Sequence, residues 1–116
     1  VNVKLGLVGE KLAANHMKNK GYCILDQNYR TKIGELDIIA KKDNSIVFIE
    51  VKTRTSNVYG RPSEAVDTKK QKKIRRLSQQ YIVYKNLKEN WIYRFDVIEV
   101  HIIGKKYKIE HIENAF

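Results

Sequence analysis

The stretch Ser45-Ile46-Val47-Phe48-Ile49-Glu50-Val51-Lys52-Thr53-Arg54 decides how this chain is read. Side chains alternate faces along a strand, so Ile46, Phe48, Glu50 and Lys52 share one face while Val47, Ile49 and Val51 share the other. Apolar residues on both faces predict a strand covered on both sides, hence a central one. Glu50 and Lys52 therefore lie on a line that begins in the core. Upstream, Gly34-Glu35-Leu36-Asp37-Ile38-Ile39-Ala40 repeats the pattern, with Glu35, Asp37 and Ile39 predicted on one face and Leu36, Ile38 and Ala40 on the other. Lys42-Asp43-Asn44 supplies the turn between them. A tight hairpin centred on Asp43-Asn44 would set Asp37 opposite Glu50 and Glu35 opposite Lys52, with Cβ atoms roughly 4.5–5.5 Å apart.

Outward from this hairpin the chain reads as α-β-β-β-α-β-β, a mixed α/β domain over residues 1–116. Leu5, Val8, Leu12 and Met17 follow helical spacing, and Gly21 supplies a stop. A strand is predicted from Tyr22 to Asn28, before the hairpin strands at Ile33–Lys41 and Ser45–Arg54. Thr55–Ser63, carrying Tyr59, Gly60 and Pro62, reads as a loop. A second helix is predicted from Thr68 to Lys85, with Ile74, Leu77, Tyr81 and Tyr84 at three-to-four spacing. Trp91–Ile103 and Lys105–Ile112 read as two late strands joined at Gly104.

The 116 residues carry 23 Lys and Arg against 13 Asp and Glu, a formal net charge of +10. That length and a hydrophobic content of 42% suit one folded core and argue against general disorder. A single cysteine excludes an intrachain disulfide and a Cys-rich zinc site, which fits a reducing, cytoplasmic setting. The apolar run Ile46–Ile49 is far shorter than the roughly 20 residues needed to span a bilayer. No leader pattern opens the chain, so neither membrane insertion nor secretion is expected. The charge favours a polyanionic partner, nucleic acid before an anionic membrane.

Asp37 and Glu50 run against that basic trend. Two carboxylates held so close repel, and burial sharpens the repulsion. A divalent cation offsets it, and paired carboxylates with a few waters suit Mg²⁺ or Mn²⁺. The chemistry that uses such a site is phosphodiester hydrolysis, in which a metal polarises phosphate and acidifies water while Lys52 steadies developing negative charge. The plainer alternative is an ion-pair ladder of Glu35 with Lys52, leaving Asp37 solvated.

Gly34-Glu35-Leu36-Asp37 followed by Phe48-Ile49-Glu50-Val51-Lys52-Thr53-Arg54 resembles the PD-(D/E)xK nuclease motif. The spacing and flanks are most similar to the YraN-like family of predicted endonucleases, related to Holliday junction resolvases. The likeness extends over Gly9-Glu10, Asn28-Tyr29-Arg30, Tyr59-Gly60, Arg94-Phe95-Asp96-Val97 and Asn114-Ala115-Phe116. Leu36 stands where the superfamily's name has Pro, a position without a catalytic role. The resemblance implies a restriction-endonuclease-like core, with a central mixed sheet flanked by helices. It implies metal binding by Asp37 and Glu50, a catalytic Lys52, and Glu10 as an assisting metal ligand. Glu35 is expected as a structural partner of Lys52 or in support of the ligands. The implied activity is metal-dependent endonucleolysis of DNA, branched or otherwise non-canonical DNA included. Resolvase-like relatives pair as homodimers, although no dimer seam is legible in this sequence.

Lys69, Lys70, Lys72, Lys73, Arg75 and Arg76 crowd one helical segment and are expected to follow a phosphate backbone, with Arg30, Lys32 and Arg54 beside the site. Gln71 has two readings: a group near the metal, as in related nucleases, or the partner of Thr68 in a capping box. Tyr59 sits where its loop could approach substrate or simply pack. His16, His101 and His111 share no ligand spacing, and Cys23 reads as a small core residue. Trp91, Tyr93 and Phe95 are expected to pack on the sheet. Two further functions use the same residues: a non-catalytic nucleic-acid-binding module, and a ribonuclease.

Overall fold

The computed structural model describes residues 3–55, 66–87 and 90–116. Its order is α1 (Val3–Asn19), β1 (Cys23–Thr31), β2 (Gly34–Lys42), β3 (Ser45–Arg54), α2 (Thr68–Tyr84), β4 (Ile92–Ile103) and β5 (Lys106–Ile112). The strands form one sheet in the order β1-β2-β3-β4-β5. β3 and β4 run parallel, and the other neighbours are antiparallel. A parallel step needs a crossover, and α2 supplies it. This mixed sheet flanked by two helices is the restriction-endonuclease-like core. The expected loop residues Tyr59, Gly60 and Pro62 lie outside the described residues.

β3 holds the middle of the sheet, as its two apolar faces require. Val47 and Ile49 join Ile38, Ala40, Ile98 and Val100 beneath α1, which contributes Ala13, Ala14 and Met17. Ile46 and Phe48 join Ile39, Val97 and α2's Ile74, Leu77 and Tyr81 on the opposite face. Tyr93 and Phe95 stack along Phe48 at ring separations of 6.1 and 5.6 Å, and Trp91 packs against the same cluster.

α1 departs from the predicted stripe. Val8 is exposed, and the buried line is Gly9, Ala13, Ala14 and Met17. Small residues let the helix settle close to β3: a Cβ on Gly9 would collide with Thr53 Oγ1. Cys23, expected in the core, is exposed. β1 is an edge strand whose burial alternates, and Cys23 falls on its outer phase.

The far part of β4 is pinned by a buried polar knot. Asp96 has no exposed surface. It accepts hydrogen bonds from Arg94 Nε and Nη2 at 2.8 Å each, His111 Nε2 at 2.8 Å and Asn114 N at 3.0 Å. Arg94 also donates to the Tyr22 hydroxyl (2.7 Å), and His16 Nε2 comes within 3.3 Å of His111 Nδ1. Arg94-Phe95-Asp96 therefore serves the fold, fastening β4 to β5 and to the end of α1.

Among the described residues no helix is long and apolar enough to cross a membrane.

Candidate functional site

The predicted hairpin register is present from Ile38↔Ile49 to Lys42↔Ser45, and then the ladder stops. Where the next rung would form, the Asp37 side chain takes over: its Oδ2 accepts from the Val51 backbone N–H at 2.8 Å. A side chain that substitutes for a strand partner parts the strands, and the parting opens a cleft of about 310 Å³. Glu10, Asp37, Val51, Lys52 and Thr53 line it.

Alternation also slips at this point. Continued pleating would place Leu36 with Ile38 beneath α1, but Leu36 packs beneath α2 with Ile39. Glu35 and Asp37 consequently turn towards Glu10 of α1, rather than sharing a face with Ile39. Asn28 of β1 stands across from Asp37, flanked by the pairs Gln27↔Ile38 and Tyr29↔Leu36. Its φ of 54° is left-handed, a conformation Asn tolerates better than most residues. The irregularity thus runs through both strands.

The outcome is a three-carboxylate group. One oxygen each from Glu10, Glu35 and Asp37 lies within 4.8 Å of the others. With the Asn28 amide oriented by its hydrogen-bond network, its nitrogen donates to both oxygens of Glu10 (2.9 and 3.0 Å) and to Glu35 Oε1 (2.6 Å). Arg30 Nε reaches Glu35 Oε2 at 3.2 Å. Three oxygen anions and no sulfur form a hard donor set, the kind that suits Mg²⁺ or Mn²⁺.

This arrangement bears on two expected roles. Glu35 does not pair with Lys52; it joins the acid group and takes Arg30 as its cation. Glu50 lies outside the three-carboxylate group, on the α2 face, 3.8 Å from Lys52 Nζ and 3.6 Å from Lys70 Nζ. The expected Asp37–Glu50 neighbourhood persists electrostatically. Burial and then Glu50 push the Asp37 carboxyl from its ordinary 3.8 up to about 7, against the Val51 N–H, which lowers it. Burial raises Glu50 too, opposed by Lys70 and Lys52. Glu10 is raised by burial, then by Asp37 and Glu35. These are acids held where negative charge is costly, the condition a cation relieves.

Gln71 is not at the acid group. Its side chain donates to the Val66 carbonyl at 3.1 Å, so it serves the start of α2. The cap itself is Asp67, whose carboxylate accepts from Lys70 N at 2.8 Å, one residue earlier than the expected Thr68. Packing divides the basic residues into two kinds. Lys70 turns in to Glu50, Arg54 Nε lies 3.6 Å from Glu99, and the Arg75 guanidinium covers Phe95 at 4.8 Å. Lys69, Lys72, Lys73 and Arg76 line clefts on the outward face of α2, and Arg30 and Lys32 border the same surface.

Asn28 is the site residue that motif spacing missed. A signal was present: Asn is a poor strand former, and one inside a strand marks an irregularity.

Residues 9–100 match the model of the uncharacterised protein family UPF0102. A UPF0102 protein of Alkaliphilus oremlandii (strain OhILAs) is 60% identical, with 100% of each chain covered. One from Clostridium botulinum (strain 657 / Type Ba4) is 50% identical, covering 99% of this chain and 95% of the relative. Another from Clostridium botulinum (strain Loch Maree / Type A3) has the same identity and coverage.

Proposed function

This chain belongs to the UPF0102 family, and from that premise we propose that it is a metal-dependent endonuclease hydrolysing phosphodiester bonds in DNA. The observation that carries the reading is the Glu10/Glu35/Asp37 group, of which Glu10 and Asp37 line a cleft together with Lys52. A divalent ion held by those three carboxylates would supply Lewis-acid polarisation of a phosphodiester and make attacking water more acidic.

The chain's own groups have distinct tasks. Asp37, fixed by Val51 N–H, keeps one oxygen committed to the backbone and presents its carboxylate at a set place. Asn28 holds Glu10 and Glu35 together across two elements. Lys52 brings a compact cation to the same cleft, where it balances charge gathering on the phosphate in the transition state. Glu50, 3.8 Å from Lys52 Nζ, orients that side chain and adds to the pressure on Asp37 to accept a cation. Gly9 permits the close helix approach that brings Glu10 over the strand ends.

The test is cleavage of duplex, flapped, single-stranded and four-way DNA, with a matched RNA set, in Mg²⁺ or Mn²⁺. Asp37→Ala and Lys52→Ala should each lower the rate by roughly 10²–10³-fold or more, the scale of losing one preorganised electrostatic group. Undiminished cleavage by both folded variants would refute the assigned site. Salt-sensitive binding without turnover would favour the binding-module alternative.

A further inference from the structure

We propose that α2 carries a path for a single-stranded extension of the nucleic-acid substrate, running from the acid site to a base-stacking end at Tyr84. The proposal rests on the nuclease reading and adds the form of substrate that the surface is built to grip.

Three clefts on the α2 side share walls in sequence. The first, about 330 Å³, starts at Glu35 of the acid group and runs past Arg30 and Lys32 to Lys73. The second, about 350 Å³, shares Ile33 and Lys73 with the first and is otherwise walled by Lys69, Lys72 and Arg76. The third, about 470 Å³, begins at Arg76 and continues between Gln79, Gln80, Val83 and Tyr84. The helix itself explains the continuity. Lys69, Lys72, Lys73, Arg76, Gln80 and Val83 recur at three-to-four spacing, so they form one outward stripe.

The chemistry changes along that stripe. Its first part is cationic, and among the described residues Lys69, Lys72, Lys73 and Arg76 form no ion pair, in contrast to Lys70, which is drawn in by Glu50. Free cations in a row suit successive phosphates. Beyond Arg76 the cations give way to two amides, an aliphatic side chain and a ring. Val83 is 79% exposed and Tyr84 70% exposed. The Tyr84 ring lies 29° from parallel to Tyr29, at 6.2 Å, and Lys85 Nζ stands 5.4 Å from its centre. A duplex turns phosphates outward and would leave this end unused. Unpaired bases would use it, stacking on the ring and bonding to the amides.

From Lys69 to Tyr84 the helix rises roughly 22 Å. At about 3.4 Å per stacked nucleotide that accommodates about six nucleotides. A second copy of the chain is the poorer occupant. It would bring the same cations against these, within a molecule of net charge +10.

The experiment measures equilibrium binding of two labelled DNAs in EDTA, with no cleavage required. One is a blunt duplex, and the other is the same duplex with a single-stranded extension. The extension should tighten binding roughly ten-fold or more, the scale of one base–aromatic stack. Tyr84→Ala should erase that gain and leave the blunt duplex unchanged, while Tyr84→Trp should retain it. Lys73→Ala with Arg76→Ala should weaken the extended probe and flatten its salt dependence.

Equal binding of the two probes, or a Tyr84→Ala protein that keeps the preference, overturns the proposal while the nuclease reading stands. Failure to bind either probe in EDTA at any salt also overturns the proposal, while the nuclease reading is judged by cleavage in Mg²⁺ or Mn²⁺. Self-association abolished by Tyr84→Ala in sedimentation would assign the patch to a second copy and overturn the proposal alone.

Discussion

Asp96 on β4 and Asp37 on β2 are carboxylates of one sheet with opposite surroundings. Asp96 is wholly buried, yet a guanidinium fork, an imidazole and a backbone N–H occupy its oxygens. Burial alone would raise its carboxyl. The hydrogen bonds from His111, Arg94 and Asn114 N–H outweigh burial and hold it below the ordinary value. Asp37 receives one backbone N–H and is crowded by Glu50, Glu35 and Glu10. Its carboxyl is pushed up to about 7. The contrast separates an acid whose partners come with the fold from an acid that lacks one. Burial pushes both carboxyls up, and only at Asp37 does nothing outweigh it.

The largest effect should come from breaking the satisfied centre. Asp96→Ala strands Arg94 and His111 in the interior, and removing one partner of a buried pair typically costs roughly 3–5 kcal/mol. Urea unfolding should show that loss with little dependence on divalent ions. A loss below about 1 kcal/mol would mean the knot is not what fastens β4 to β5.

The second centre should respond to pH with the opposite sign. Asp96 has a depressed folded value, so its stabilisation is present at neutral pH and lost only in acid. Asp37 has a folded value of about 7 against an ordinary 3.8. The folded state therefore binds the proton more tightly, and in EDTA its contribution is greatest at low pH and is lost as pH rises through about 7. The full span is at most roughly 4 kcal/mol. Thermal melts from about pH 5 to 8 should show wild type losing stability relative to Asp37→Asn, a comparison that cancels the net-charge effects common to both. Mg²⁺ or Mn²⁺ should restore wild type at pH 8, do little at pH 5, and leave Asp37→Asn nearly unmoved, because ligation requires the carboxylate. Parallel pH profiles for the two proteins would remove Asp37 from the centre of the site.

The two regions were also unequally legible in the sequence. β3's double apolar face announced a central strand, and Asp43-Asn44 set a register that holds through Ile38↔Ile49. The neighbourhood of Asp37, Lys52 and Glu50 followed from that register. Membership of the acid group did not, because alternation assumes an unbroken pleat and the pleat slips at Asp37. Glu35, read as a partner of Lys52 or a support of the ligands, gathers with Glu10, and Glu50, read as a ligand, stands beside Lys52 and Lys70. The run of cations on α2 was plain. Which of them turn inward depended on Glu50 and Phe95, tertiary neighbours that helical spacing does not name. The Asp96 knot was equally hidden, since His16 and His111 lie far apart in the chain and meet only through the sheet.

The smallest effect sharpens the comparison at Asn28, the nearest thing the acid group has to the partners Asp96 enjoys. Asn28→Gly is the informative change. At φ 54° glycine keeps the backbone without strain, whereas alanine would add a left-handed penalty of roughly 1–2 kcal/mol and confuse the result. Without the amide, the hydrogen bonds that join Glu10 to Glu35 are gone, and the Arg30 charge is left as the attraction felt by both. Their carboxylates should spread apart in the free protein and have to be regathered on binding. Mn²⁺ affinity, read by titration calorimetry near pH 8, should fall by roughly ten-fold, the lower end of what losing a supporting hydrogen bond costs a metal site. Folding stability should move by no more than about 1 kcal/mol, since the residue is exposed. An unchanged Mn²⁺ affinity with intact fold would show that the Asn28 amide does not place Glu10 and Glu35 for the ion. The bonds from Val51 N–H to Asp37 and from Arg30 Nε to Glu35 would then be the ones that position the group for the ion.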